Sequence, residues 1–117
     1  MSDHRKEDRK KIMAFTPVYD LDKKLLGYMG DLTLRGALVI GEKPLEINKQ
    51  TTLIIDFPET AEFPARRVKI PARVAWSKRE PGVQYYDSGV EFQDISRENR
   101  MILESILERY QYRHAIA

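Results

Sequence analysis

A chain of 117 residues with a formal net charge of +2, 42% hydrophobic and 32% charged, has the make-up of one soluble globular domain, large enough for a single core and too small for two. The absence of cysteine excludes a disulfide framework and thiolate zinc or redox sites, and agrees with a reducing, cytoplasmic setting. So small a net charge is not that of a nucleic-acid coat or a membrane-surface patch, and no apolar run approaches the roughly 20 residues that cross a bilayer. Any anion site must therefore be local.

In chain order, Ser2 to Lys11 are almost wholly charged and hold no apolar side chain. With nothing to bury, residues 1–11 read as a flexible N-terminal arm, and with no apolar region they do not read as a secretory signal. The folded domain is expected over residues 12–117. From Ile12 the hydrophobic period is about two, which predicts strands at Ala14–Asp20, Leu25–Gly30, Leu32–Ile40, Thr51–Phe57, Arg67–Trp76 and Gln84–Phe92. The fifth is the clearest: Val68, Ile70, Val74 and Trp76 share one face, and Arg67, Lys69 and Arg73 share the other. Breakers at Asp22-Lys23-Lys24, Gly41-Glu42-Lys43-Pro44, Pro58-Glu59-Thr60 and Arg79-Glu80-Pro81-Gly82 separate these runs. Pro71 argues for an edge or a bulge inside the fifth.

After Asp94 the period changes to that of a helix. Ile102, Leu103, Ile106, Leu107 and Tyr110 fall on one face, Glu104, Glu108 and Arg109 lie away from it, and Asp94 or Ser96 is available as a cap. The fold class is therefore mainly β: six short antiparallel strands closing into a small barrel, with a C-terminal helix docked on it.

Two motifs stand out. Arg5-Lys6-Glu7-Asp8-Arg9 spells RxxxR, and Asp31-Leu32-Thr33-Leu34-Arg35-Gly36 spells DxTxxG. The first spacing is expected roughly once by chance in a chain this rich in arginine, and it recurs at Arg109 and Arg113, so the second motif carries more weight. Their order, together with Ala72-Arg73-Val74-Ala75-Trp76 and Ser88-Gly89-Val90-Glu91-Phe92 as a late strand pair, resembles the PilZ family of cyclic di-GMP receptors over nearly the whole chain. Thr33 stands where that family usually has Ser.

The resemblance implies a cyclic di-GMP site made by Arg5, Arg9, Asp31, Thr33 and Gly36. A guanidinium bonds guanine O6 and N7 bidentately or pairs with phosphate, and Lys is a poor substitute. The Asp31 carboxylate is an acceptor for a guanine N–H edge. In an extended segment Thr33 points the same way as Asp31 and adds a hydroxyl. Gly36 suits a turn at positive φ or a close approach of backbone to ligand. His4, Lys10, Arg35 and Trp76 are secondary candidates. Trp76 has two readings, core packing at the end of an apolar face or an aromatic surface against guanine.

The resulting expectation is a non-enzymatic receptor or adaptor in which cyclic di-GMP orders the arm against the barrel and changes contacts with a separate effector protein. The protein would be a monomer or weak dimer, cytoplasmic, with no DNA or RNA partner, no membrane insertion, and no metal or other cofactor. The alternative is a degenerate PilZ-like scaffold acting through protein contacts without the nucleotide. Asp31 and Gly36 would then form only a hairpin turn. A single-stranded nucleic-acid binder would need aromatics interleaved with a basic groove, whereas Phe15, Tyr19, Tyr28 and Phe57 fall at positions that look like core. Both histidines, His4 and His114, lie in terminal segments, and no nucleophile, base and orienting group can be named for an enzyme.

Overall fold

The computed structural model describes residues 16–59, 64–79 and 81–116, with the side chains of 109–116 excepted. Alternation builds its walls: Val68, Ile70, Ala72 and Val74 are buried, while Arg66, Arg67, Lys69 and Pro71 between them are exposed. Such strands cannot leave one apolar face in water, and here the sheet closes on itself. β1 (Pro17–Tyr19), β2 (Leu25–Leu32), β3 (Gly36–Gly41), β4 (Gln50–Phe57), β5 (Arg66–Arg79) and β6 (Tyr86–Phe92) form a closed barrel in the order β1-β2-β3-β6-β5-β4. Every pairing is antiparallel. Val18, Met29, Val39, Leu53, Ile55 and Val90 meet the β5 side chains in the core. On the outside, Arg67 forks onto its cross-strand partner Asp56 at 2.6 and 3.0 Å.

One helix, α1 (Arg97–Ile116), follows β6. Ser96 caps it, its Oγ accepting the Asn99 N–H at 3.1 Å, and Asn99 Nδ2 donates to Lys69 O at 2.6 Å, which ties the first turn to β5. Leu103 and Ile106 are buried in the barrel's own core cluster, with Ile102 and Leu107 at its margin. The expected apolar face is therefore the docked one. Tyr110 and Arg109 lie outside the described side chains.

Four expectations shift. The break between the second and third strands falls at Thr33–Arg35 and not near Asp31, because β2 runs on through Leu32 over a bulge between Met29 and Asp31. Pro71 makes no bulge: its carbonyl accepts the Gln93 N–H at 2.7 Å, so its missing donor faces the side where the β6 ladder has already ended at Ala72↔Phe92. The bulge comes later, between Val74 and Trp76, and it takes Trp76 off the apolar face. Tyr28 is not core either, being 46% exposed on the outside of β2. Phe57 is buried as expected, while Phe15 lies outside the described residues.

If the helix belongs to the barrel's cooperative unit, Leu103→Ala should cost about 2 to 5 kcal/mol in denaturant unfolding and Ser96→Ala about 1 kcal/mol. A Leu103→Ala protein as stable as wild type would mean that α1 merely rests on the surface.

Candidate functional site

The DxTxxG segment is a hairpin corner. Thr33 N–H donates to Gly36 O at 2.9 Å, and the Thr33 hydroxyl accepts the N–H groups of Arg35 and Gly36 at 3.1 and 3.2 Å. A short hydroxylated residue satisfies the turn's own amides in this way, which is why the chain reverses here. Leu34 packs its side chain against the core cluster, and Arg35 O accepts the Phe92 N–H at 2.8 Å, so the corner is anchored to the end of β6. Asp31 and Thr33 are both exposed with buried Leu32 between them, so they share the outer face as their spacing predicts. Asp31 Oδ1 accepts the Leu32 N–H at 2.8 Å.

Gly36 has a reason the sequence did not suggest. Its φ is not positive, and a Cβ there would strike the carbonyl oxygen of Val90 on β6. The residue permits two strands to approach, with Gly36 opposite Glu91.

Register carries the face onward. Asp31 on β2 lies opposite Leu38 on β3, Leu38 opposite Gly89 on β6, and Gly89 opposite Trp76 on β5. With strands about 4.8 Å apart, this outer row runs roughly 14 Å along the wall, half-way round the closed barrel. Trp76 is 42% exposed and covers Gly89, where any Cβ would collide with the indole Nε1. Lys78 Nζ sits over the indole, 5.5 Å from the ring centroid. In the next row Arg73 reaches Glu91 Oε1 at 2.5 Å and Asn48 Oδ1 at 2.7 Å, so its guanidinium is held within the barrel wall. Of the two readings of Trp76, the structure takes it out of the core and places it on the outside of β5.

The structure thus brings Asp31, Thr33, Arg35 and Gly36 together at one corner of the barrel, and places Trp76 on the outside of β5, at the far end of the same register row. Arg5, Arg9, His4 and Lys10 lie outside the described residues, as does the expected boundary after residue 11. Leu38, Lys78 and Asp87 also point to the outside of the wall and were not singled out. Gly89 offered a signal, since a glycine inside a strand often marks a close approach. Among the described residues no group of three His, Cys, Asp or Glu side chains gathers to hold a metal, and no helix is long and apolar enough to cross a membrane.

A small closed barrel whose open outer wall offers a carboxylate, a hydroxyl-braced turn and an exposed indole has the architecture of a ligand-receiving domain. The PilZ domain profile matches residues 3–109, and the chain belongs to the PilZ family. PilZ domains are receptor-type domains for cyclic di-GMP and are generally non-catalytic. The fold is similar to that of the Bacillus subtilis inhibitor of motility, MotI/DgrA, with a TM-score of 0.68 at 17% identity, over 84% of this chain and 46% of that one. The chain thus spans about half the length of that protein. No curated protein matches this chain in sequence.

The corner's chemistry separates two substitutions at one position. Thr33→Ser should keep stability within about 0.5 kcal/mol, whereas Thr33→Val, with no acceptor for the two turn amides, should lose about 1 kcal/mol or more by thermal unfolding. Gly36→Ala should be worse than either, at about 1 to 3 kcal/mol, because its methyl meets backbone and not a movable side chain.

Proposed function

We propose that this chain is a non-enzymatic cyclic di-GMP receptor whose N-terminal segment closes over ligand held on the outer wall of the barrel, and that the change is read by a separate effector protein in the cytoplasm. The observation that carries it is the PilZ match, which begins at residue 3 and so takes in RxxxR together with the DxTxxG corner and the late strand pair that holds Trp76.

The chemistry supports each part. The ligand presents two guanine edges and two phosphates. Asp31 accepts from a guanine N–H edge, and the Trp76 indole is a stacking surface that tolerates any base but suits a purine's large π-face. Arg5 and Arg9 supply the forks for O6, N7 and phosphate, with His4, Lys10 and Arg35 adding positive potential. Fixing each backbone residue of the arm costs on the order of 1 to 2 kcal/mol. Charge-assisted contacts worth about 1.5 to 3 kcal/mol each offset this only when ligand is present. The arm is then a switch, and its two states show a partner different surfaces.

A second reading has an observation in its favour. Thr33 and Gly36 are fully accounted for by the turn and by the β3–β6 approach, so a family member that had lost the nucleotide would keep both. Such a chain would act as a scaffold through protein contacts alone.

Calorimetric titration with cyclic di-GMP separates the two, and also reports whether one ligand or two are bound. Arg5→Ala or Arg9→Ala should each weaken binding by about 1.5 to 3 kcal/mol or more with little change in thermal stability, and Arg→Lys should not restore it. Cyclic di-AMP, which presents an amino donor where guanine has O6, should bind far more weakly. Wild-type affinity in both alanine variants would sink the assignment of the arginines.

Amide hydrogen exchange tests the switch. Protection should rise in residues 2–11 and in the 31–36 corner on adding cyclic di-GMP, while α1 changes little. An arm already protected without ligand would mean that any output comes from another surface.

A further inference from the structure

Among the described residues, Asp87 Oδ1 is a buried side-chain oxygen with no hydrogen-bond partner. A carboxylate in that state is unfavourable, since burial removes water without supplying a donor. Its place in the sheet makes the vacancy informative. On one side, across β3, its register partner is Ile40, whose side chain has no donor to offer. On the other side, across β5, it lies opposite Lys78, and opposite charges in directly facing positions ordinarily pair. Lys78 forms no ion pair with it, and its ammonium lies over Trp76. Arg79, the next cation along β5, donates its Nε to Val83 O.

One cation therefore has two seats on the outer face, an indole it occupies and a carboxylate it leaves empty. The indole lies against Gly89 and carries the ammonium over its ring, so a base stacking on Trp76 competes with Lys78 for it. We infer that Lys78 and Asp87 are positioning residues of the Trp76 platform: Lys78 caps the indole in the free protein, and Asp87 receives its ammonium when a purine base takes its place. The exchange replaces a cation–π contact by a charge-assisted pair, so stacking strands no cation and satisfies the one buried oxygen that lacked a donor. The inference rests on the reading of this face as a dinucleotide site.

The protein's single tryptophan makes the platform directly observable. The test titrates cyclic di-GMP into the full chain, followed by Trp76 fluorescence and by calorimetry, for wild type, Asp87→Asn, Lys78→Met and the double variant. Without its second seat the ammonium keeps competing for the indole, so Asp87→Asn should weaken binding about tenfold. Its thermal midpoint should not fall, since the carboxylate had no partner to lose. In the Lys78→Met background the same Asp87→Asn change should have an effect of less than about twofold, because Asp87 acts only through Lys78. Lys78→Arg should bring the Asp87 dependence back. In the free protein, Lys78→Met should shift the Trp76 emission and Asp87→Asn should not.

Wild-type affinity in Asp87→Asn overturns the inference, and so does an equal loss in both backgrounds, which would make Asp87 a direct ligand contact. Loss of all binding in Lys78→Met overturns it too, since Lys78 would then hold the ligand itself. A wild type that does not bind cyclic di-GMP overturns the receptor reading and this inference with it. A wild type that binds but shows an additive cycle overturns this inference alone.

Discussion

The register shift between Val74 and Trp76 is the constraint on which the outer face depends. Up to Val74, β5 follows strict alternation and feeds the core. One extra residue, Ala75, then sits opposite no partner of its own, and the strand resumes with Trp76 against Gly89 and Ser77 against Ser88. The inversion sends the indole out and brings a serine in, where the Ser77 and Ser88 hydroxyls lie 2.8 Å apart and Ser77 Oγ accepts the Leu45 N–H at 3.2 Å. Without the shift an indole would enter a core already filled by Val74, Val90 and their neighbours, and the outer row would end on a glycine.

Glycine at two places lets the strands use that register. At Gly36 the neighbouring backbone of β6 occupies the volume a Cβ would need, and at Gly89 the Trp76 ring does. Both lie on β3–β6 or β6–β5 contacts, so close strand approach is built into this part of the wall. A residue that looks chosen for ligand can thus be required by the scaffold, and Gly36 illustrates the overlap. Thr33 does the same within the corner, where its hydroxyl braces two amides while the residue stays exposed on the same side as Asp31.

Charges on this wall divide by whether they are held. Arg73 is fixed between Glu91 and Asn48, and Arg67 is fixed on Asp56, which raises the guanidinium pKa through the hydrogen bond first and the charge second. Lys78 is engaged only by an aromatic face, and Asp87 has an oxygen without a partner. Fixed pairs contribute to the shape of the barrel. The unfixed one is where a ligand has something to exchange.

Alternation in Arg66–Val74 and the helical spacing of Ile102, Leu103, Ile106 and Leu107 made the barrel wall and the docked helix legible from sequence, because burial on one face imposes a period on any strand or helix. Asp31, Thr33 and Gly36 were legible as a motif through the family resemblance, and Thr33 also for a local reason, since a turn is made by residues within hydrogen-bond reach of one another along the chain. The outward Trp76, the collision that reserves Gly36 and Gly89, and the row from Asp31 to Trp76 were decided only by the tertiary structure. Each depends on which residue of one strand faces which residue of another, and a one-residue slip in that pairing, invisible in the period of either strand, moves a side chain from the core to the surface.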